Sequence, residues 1–304
     1  MTIVAVIQAG TCLFDTPATL DKFARLAGEA AAKGAALAVF PEAFIGGYPR
    51  GMDFGARVGF RTPEGRDWFA RYHANAISVP GPETALIGES ARAHAMHIVI
   101  GVIERDGGTL YCTALFFGPD GSLITKHRKV MPTAMERIIW GQGDGSTLPV
   151  IDTEIGKIGA VICWENYMPL MRMAMYAQGV EIYCAPTVDD RETWALSMRH
   201  IAFEGRCFVL SAVQYFTRND AAPDCPIDGA PAEVLIRGGS IIAGPLGEIL
   251  AGPVYDGEAI LTADVDLAQL PRAKYDFDVV GHYARPDIFA LSVDTAAKPP
   301  VRFE

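Results

Sequence analysis

Short runs of aliphatic and β-branched residues alternate along this chain with longer segments of helical periodicity. The apolar runs predict strands at 3–9, 35–40, 97–103, 110–117, 121–131, 158–163, 181–185, 207–213 and near 240–243, 248–251 and 259–265. The periodic segments predict helices at 18–33, 82–95, 168–178 and 191–205. Many of the strands are uninterrupted apolar runs, which is typical of sheets covered on both faces. The pattern therefore predicts a layered α/β fold with its helices outside the sheets.

Two irregular segments, 46–63 and 217–238, interrupt this pattern. Long loops in compact domains are more often functional or interfacial than idle, so we expect both to border a site or a contact surface. The chain has no fixed-period repeat, no low-complexity tract and no Ser/Gly-rich linker. We therefore interpret residues 1–304 as a single domain.

Composition and charge argue against several classes of protein. The 304 residues are 50% hydrophobic and 20% charged, which suffices for a large core and differs from disordered chains. A formal net charge of -10 disfavours partners such as nucleic acid or an anionic membrane surface. No apolar run has the length of a membrane span, and the N-terminal run lacks the flanks of a secretory signal. The high apolar content favours burial between subunits, and hence a homo-oligomer.

Six cysteines are spread over the chain without a close pair, which predicts reduced thiols and a cytoplasmic location. Five of them are interpreted as unreactive, because four lie in apolar strands and one lies in a loop: Cys12, Cys112, Cys184, Cys207 and Cys225. Cys163 differs because it ends the predicted strand 158–163 and a helix begins near Met168. At such an elbow the dipole and free N–H groups of the helix would lower the pKa of a thiol. We expect Cys163 to be a nucleophile, with a buried structural cysteine as the alternative.

Two further segments carry candidate chemistry. Glu42 follows the strand 35–40 and Pro41, among apolar neighbours whose burial would raise the pKa of its carboxyl and suit a general base. Lys129 closes the basic run of residues 126–129 near the end of the strand 121–131, where an ammonium can stabilise a developing anion. Taken alone, each segment fits a solvated surface better than a catalytic site. However, both residues, like Cys163, lie at the carboxyl end of a predicted strand, where α/β sheets build their sites.

The segments around these residues resemble one known family. The stretches PEAFIGGYPRG, HRKVMPTAMERIIWGQGDGS and GAVICWENYMPLMR are similar to the nitrilase superfamily of carbon–nitrogen hydrolases. The forms CWENYMPL after the cysteine and ER..WG.GDGS after the lysine resemble its true nitrilase branch. The resemblance implies a four-layer αββα sandwich that continues across a dimer interface. It also implies that Glu42 is the base, Lys129 the stabiliser of charge, Cys163 the nucleophile and Glu136 a second glutamate that orients the lysine.

The resemblance implies hydrolysis of an organic nitrile to the acid and ammonia through a cysteine thioimidate and thioester. Trp164, Tyr48, Thr133 and Pro186 are expected to bind substrate, because each neighbours a catalytic segment or a strand end. No metal or organic cofactor is required, and the partners are the nitrile, water and further copies of the chain. Because the chain ends soon after the family segment, we expect a dimer or small oligomer and not a long filament.

Alternatives to nitrile hydrolysis remain open at this point. An amidase or an N-carbamoyl hydrolase would use the same Glu42, Lys129 and Cys163, and an inactive homologue would serve partner binding alone. Asp189 and Glu192 fit the N-cap and N3 positions of the helix 191–205 and are interpreted as structural.

Overall fold

The computed structural model describes residues 1–301 and contains two large sheets with helices on their outer faces. The strands are β1 Thr2–Gln8, β2 Leu37–Val39, β3 Ala56–Arg57, β4 Phe60–Arg61, β5 His97–Asp106, β6 Thr109–Phe117, β7 Leu123–Arg128, β8 Val150–Thr153, β9 Gly156–Ala160, β10 Ile182–Cys184, β11 Phe208–Ser211, β12 Tyr215–Thr217, β13 Val234–Ala243, β14 Ile249–Tyr255 and β15 Ala259–Val265. The helices are α1 Thr16–Ala32, α2 Pro63–Asn75, α3 Pro82–His94, α4 Pro169–Ala177, α5 Glu192–Gly205 and α6 Gln269–Ala273.

The first sheet has the order β15-β1-β2-β5-β6-β7, and the second has the order β12-β13-β11-β10-β9-β8 with β14 paired to β13. In the first sheet β1, β2 and β5 run parallel, and β6 reverses direction before β7. In the second sheet β9, β10 and β11 run parallel. The carboxyl ends of β2, β5 and β7 therefore share one edge of the first sheet.

Strand β1 shows how the core is divided into layers. Val4 and Val6 point into the cluster between the two sheets, whereas Ala5 and Ile7 point into the cluster beneath α1 and α3. This period-2 alternation with apolar residues on both sides is what a sheet buried on both faces requires. Residues of α4 and α5 cover the outer face of the second sheet. The layers are therefore helix, sheet, sheet, helix, and the predicted αββα sandwich is confirmed.

A buried glutamine joins the two sheets. Gln8 accepts backbone N–H groups of Gly239 and Ser240, each at 2.9 Å, and donates to the carbonyl of Gly257 at 2.8 Å. The close approach requires a glycine at 238, where an added Cβ would lie 2.4 Å from the glutamine amide. A polar side chain in this position is stabilised because all its hydrogen-bonding atoms are satisfied.

The two irregular segments contain more structure than their sequence predicts. The first holds the short hairpin β3–β4, and the second holds the start of β13, six residues before the predicted strand. The guanidinium of Arg218 organises the second segment by donating to the carbonyls of Ala222, Pro223, Cys225 and Ile227. Helix α2 contacts the core mainly through Trp68, Phe69 and Tyr72, so its periodicity is too weak to reveal it. Within residues 1–301, no helix combines the length and apolarity needed to cross a bilayer.

Candidate active site

Three segments from the two sheets converge at one edge of the sandwich. Glu42 lies three residues after β2, and Lys129 follows β7 directly. Cys163 lies three residues after β9 in the second sheet, because that strand ends at Ala160 and not at 163 as predicted. Hydrogen bonds and electrostatic contacts connect all three side chains, so the structure brings the predicted site together.

The ammonium group of Lys129 lies between two carboxylates. Its Nζ is 2.7 Å from Glu42 Oε1 and 2.8 Å from Glu136 Oε2, and its side chain is fully buried. The ring of Trp140 covers the ammonium, with its centroid 5.5 Å from Nζ. Although burial opposes it, the charge of Glu42 keeps the pKa of Lys129 well above its usual value. Lys129 is therefore a fixed positive charge that does not act as a proton donor near neutrality.

Glu136 is held in place by two neighbours from opposite sides. The backbone N–H of Thr133 donates to Oε2 at 2.6 Å, and the Tyr48 hydroxyl donates to Oε1 at 2.9 Å. Both Thr133 and Tyr48 also line the cavity described below. Because the Thr133 N–H and the Tyr48 hydroxyl both donate to Glu136, these two residues orient its carboxylate.

Cys163 adopts a left-handed backbone conformation, with φ of 51°, at the start of a 3-10 helix over Cys163–Tyr167. Non-glycine residues pay a conformational cost there and occur often at functional turns. Its N–H donates to the carbonyl of Pro186 at 2.9 Å. Pro186, which is expected from the sequence to bind substrate, is not among the residues that line the cavity described below, and its carbonyl anchors the backbone of Cys163.

The expectation that a helix dipole lowers the pKa of the Cys163 thiol is wrong. Burial raises its pKa well above the usual value, the negative charge of Glu42 adds to this, and Lys129 only partly opposes it. Helix α4 begins at Pro169, six residues away, so its N-terminus does not act at the sulfur. Burial therefore favours the neutral form of this thiol, and a base beside it would be needed to remove its proton.

Glu42 is positioned to take that proton. Burial raises the pKa of its carboxyl, Lys129 opposes the rise, and the Cys163 thiol lies close enough to lower the pKa by hydrogen bonding. Among the described residues, Oε2 of Glu42 has no hydrogen-bond partner of good geometry. A fully buried carboxylate with a free oxygen beside a thiol is a competent general base.

Two further residues hold Glu42, and sequence reasoning missed both. Gln214 donates from Nε2 to the backbone carbonyl of Glu42 at 2.7 Å. Cys112 was interpreted as structural; it is buried as expected, but its Sγ lies 3.5 Å from Oε1 of Glu42. No local signal marks Gln214, which lies 172 positions away in the chain.

A cavity of about 270 Å³ opens above the sulfur. Its wall consists mainly of polar and charged side chains: Tyr48, Arg50, Thr133, Glu136, Cys163, Trp164, Val188, Asp189, Asp190 and Arg191. Trp164 forms part of this wall, and its indole N–H donates to Oδ2 of Asp189 at 2.8 Å. Arg191 pairs with the same carboxylate and stacks on the indole, with 4.8 Å to the ring centroid.

The prediction that Asp189 is an N-cap is wrong, although its carboxylate does make structural contacts with the backbone N–H of Arg191 and the indole of Trp164. Arg191 is the N-cap residue of α5, and it makes no capping hydrogen bond through its side chain. The carboxylate of Asp189 faces the cavity instead, where Arg191 and Trp164 lower its pKa despite its burial. The position of Asp189 shortly after β10, at the same sheet edge as Cys163, is the signal that would have revealed it.

Comparisons with known proteins agree with this geometry. Residues 3–275 match the family model of carbon-nitrogen hydrolases. An aliphatic nitrilase from Sinorhizobium fredii (strain HH103) is 60% identical over 98% of this chain and 97% of its own length. A bifunctional nitrilase/nitrile hydratase, NIT4B, from Nicotiana tabacum is 58% identical over 98% of this chain and 87% of its own. A solved carbon-nitrogen hydrolase from Helicobacter pylori G27 shares the fold, with a TM-score of 0.75 and 22% identity over 95% of this chain and 96% of that chain.

Proposed function

This chain belongs to the carbon-nitrogen hydrolase family, and we propose that it is a nitrilase that converts an organic nitrile and water into the carboxylic acid and ammonia. The observation that carries the mechanism is the buried Lys129 ammonium, bound by Glu42 and Glu136 beside the Cys163 thiol. We infer that Cys163 is the nucleophile, Glu42 the general base, Lys129 the electrostatic stabiliser and Glu136 the residue that orients it.

The first step forms a covalent thioimidate. A nitrile carbon is a weak electrophile and needs a strong nucleophile, which a thiolate provides. As the sulfur of Cys163 bonds to the carbon, its proton passes to Glu42, and negative charge develops on the nitrile nitrogen. The fixed charge of Lys129 stabilises this anion, and protonated Glu42 then delivers the proton to nitrogen. The result is R–C(=NH)–S–Cys163 with Glu42 again ionised.

Two water molecules complete the turnover. Glu42 takes a proton from the first water as its oxygen adds to the thioimidate carbon, and the proton is passed to nitrogen. Ammonia then leaves and a thioester remains. A second water, activated in the same way, releases the acid and restores the thiol. The Trp164 N–H, in the first turn of the 3-10 helix, is our candidate donor to the oxyanion, since such N–H groups lack helical acceptors.

The cavity supports short aliphatic nitriles as substrates. Its volume of about 270 Å³ lies just below the usual range for small-molecule sites, which is about 300–1,000 Å³. Arg50, Asp189, Asp190 and Arg191 contribute charge to its wall, whereas a site for a bulky aromatic side chain would be lined mainly by apolar groups. We therefore propose small nitriles that carry a polar substituent.

We also propose a homodimer or small oligomer in the cytoplasm. Several large apolar side chains on the outer helices are exposed, including Leu170 on α4 and Leu196 and Phe203 on α5, and these would be buried by a second copy. The six cysteines are unpaired, which suits a reducing compartment. Size-exclusion chromatography with light scattering tests the first point: a dimer or small oligomer supports it, and megadalton particles contradict it.

A matched panel of nitriles and their amides tests the proposed reaction. We expect ammonia and acid from a short polar nitrile, with much slower turnover of the corresponding amide or of an N-carbamoyl compound. If the amide or N-carbamoyl compound were hydrolysed and the nitrile were not, the protein would be an amidase or N-carbamoyl hydrolase using the same residues. If no member of the panel reacted, the catalytic proposal itself would fail.

A further inference from the structure

A single buried carboxylate connects the lysine segment to the cysteine segment. Oε1 of Glu165 accepts the backbone N–H of Val130 at 2.6 Å, and its Oε2 accepts the N–H of Ile162 at 3.0 Å. Val130 is the residue after Lys129, and Ile162 is the residue before Cys163. The first follows β7 of one sheet and the second follows β9 of the other. Glu165 therefore spans the gap between the sheets next to both reacting groups.

A buried histidine completes this arrangement. His127 Nε2 lies 2.9 Å from Oε2 of Glu165, and His127 Nδ1 lies 2.6 Å from the carbonyl oxygen of Thr147. A carbonyl oxygen can only accept, and a carboxylate can only accept, so both ring nitrogens carry protons and the ring is an imidazolium. The side chains of His127 and Glu165 are fully buried, so their opposite charges compensate each other.

The carboxylate of Glu165 controls the distance between the segment that carries Lys129 and the segment that carries Cys163, which are far apart in the chain. Replacement of one of its two oxygens by a donating group would leave a buried backbone N–H without an acceptor, at a cost of about 1–3 kcal/mol in general. The segments would then relax apart, and the Lys129 ammonium and Cys163 sulfur would move relative to each other. A misplacement of about 1 Å between reacting groups can lower a rate by about 100-fold.

We propose that Glu165, oriented by His127, is a positioning residue that sets the Lys129 ammonium against the Cys163-bound intermediate and thereby favours release of acid over release of amide. This inference rests on the proposed nitrilase reaction. The tetrahedral intermediate carries nitrogen, oxygen and sulfur on one carbon. Departure of ammonia breaks the C–N bond and leaves the thioester, whereas departure of the thiolate breaks the C–S bond and frees the amide. Displacement of the ammonium and its carboxylates slows proton delivery to nitrogen and so diverts the intermediate to amide.

The principal test is Glu165→Gln, assayed for kcat, KM and the ratio of amide to acid. The glutamine side chain has one accepting oxygen and one donating NH2 group. Its NH2 group therefore faces the N–H of either Val130 or Ile162, and that N–H loses its acceptor. We expect kcat to fall by about 100-fold, KM to change much less because Glu165 itself does not line the cavity, and the amide share to rise severalfold. A general loss of stability would lower the amount of active enzyme without changing the product ratio.

Two substitutions of His127 give a matched pair that disturbs folding less. In His127→Gln the amide nitrogen can replace Nε2 and still donate to Glu165, whereas in His127→Asn it replaces Nδ1 and serves only Thr147. We expect the Asn variant to shift the product ratio towards amide and the Gln variant to remain close to the wild type. His97→Asn is the control, because His97 is also a buried histidine bound to a glutamate but lies at the opposite edge, at the start of β5.

The outcomes separate the two proposals. If the wild-type chain hydrolyses nitriles but Glu165→Gln and His127→Asn match His97→Asn in kcat per folded enzyme and in product ratio, the positioning role is wrong and the nitrilase proposal stands. If the wild-type chain hydrolyses no nitrile, both proposals are overturned. Should Glu165→Gln fail to fold, the His127 pair still decides the matter through the product ratio.

Discussion

Glu136→Gln isolates the charge on the second carboxylate from its hydrogen bonds. Glu136 receives Lys129 and the Thr133 N–H on Oε2 and the Tyr48 hydroxyl on Oε1. A glutamine can place its carbonyl oxygen where Oε2 lies and keep the first two contacts. Its NH2 group then faces Tyr48, whose hydroxyl can rotate to accept instead of donate. All partners remain satisfied, and only the negative charge is removed.

The expected size of the effect follows from that single loss. The bond from Lys129 to Glu136 is 2.8 Å long and joins two full charges in a buried site. Hydrogen bonds to charged groups contribute about 1.5–3 kcal/mol, and bonds between neutral groups about 0.5–1.5 kcal/mol. The midpoints of these two ranges differ by roughly 1.25 kcal/mol, which corresponds to about an eightfold fall in kcat, because a less firmly held ammonium stabilises the nitrile nitrogen less well. Tyr48 and Thr133 should stay in place in the cavity wall, so KM for the nitrile should change little.

The pH profile should move in a defined direction. Burial is the main cause of the raised pKa of Glu42, and the negative charge of Glu136 adds to it. Removal of that charge therefore lowers the pKa of Glu42, and Glu42 remains ionised to a lower pH. Since the ionised form is the base, the acid limb of kcat/KM should shift to lower pH in the variant.

Steady-state ammonia release measured across pH for wild type and Glu136→Gln tests both points. Tyr48→Phe is a matched control, because it removes one hydrogen bond from Glu136 and leaves its charge. We expect the control to lower kcat modestly without moving the acid limb. If Glu136→Gln left kcat unchanged, or moved the acid limb to higher pH, the assignment of Glu136 as the residue that orients Lys129 would be refuted.

Two other perturbations have defined outcomes. Asp189→Asn removes the charged partner of Trp164 and Arg191 at the cavity wall. We expect KM for a short nitrile to rise by about tenfold, or roughly 1.4 kcal/mol, with a smaller change in kcat. An unchanged KM would argue against contact between this part of the wall and the substrate. Glu165 raises the pKa of His127, although burial opposes the rise. The pairing therefore stabilises the fold fully below the pKa of an unfolded histidine, about 6.5. This stabilisation is lost as the pH rises through the higher pKa of His127 in the folded protein. In denaturant titrations the free energy of unfolding lost in His127→Asn should therefore shrink with rising pH, and a loss that grew would contradict the pairing.

The sequence predicts the layers of the fold well because its strands differ clearly from its helices in apolar pattern. In β1 the residues Val4 to Ile7 are all apolar, which indicates burial on both faces, and the structure confirms it. The strand before Cys163 is predicted three residues too long, since the sequence IGAVIC is apolar throughout. After the strand the chain adopts a left-handed conformation at Cys163. This conformation is uncommon for residues other than glycine, so the sequence does not predict it.

The contacts that organise the site are harder to predict than the residues that form it. Glu42, Lys129 and Cys163 each lie near the end of a recognisable strand. Gln214 reaches the Glu42 carbonyl from 172 positions away, and Glu165 binds Val130 from 35 positions away. Such hydrogen bonds depend on how the two sheets pack, so they cannot be predicted from the local pattern of apolar residues. The raised pKa of the Cys163 thiol is likewise a consequence of burial between two sheets, which the strand-to-helix elbow alone does not reveal.

The identity of the nucleophile is tested most directly by mass spectrometry of enzyme quenched in acid during turnover of a nitrile. We expect an added acyl or imidoyl mass on the peptide that contains Cys163, and neither adduct nor turnover in Cys163→Ala. A stable adduct on another residue, such as Cys112, or continued hydrolysis by Cys163→Ala, would contradict attack by Cys163.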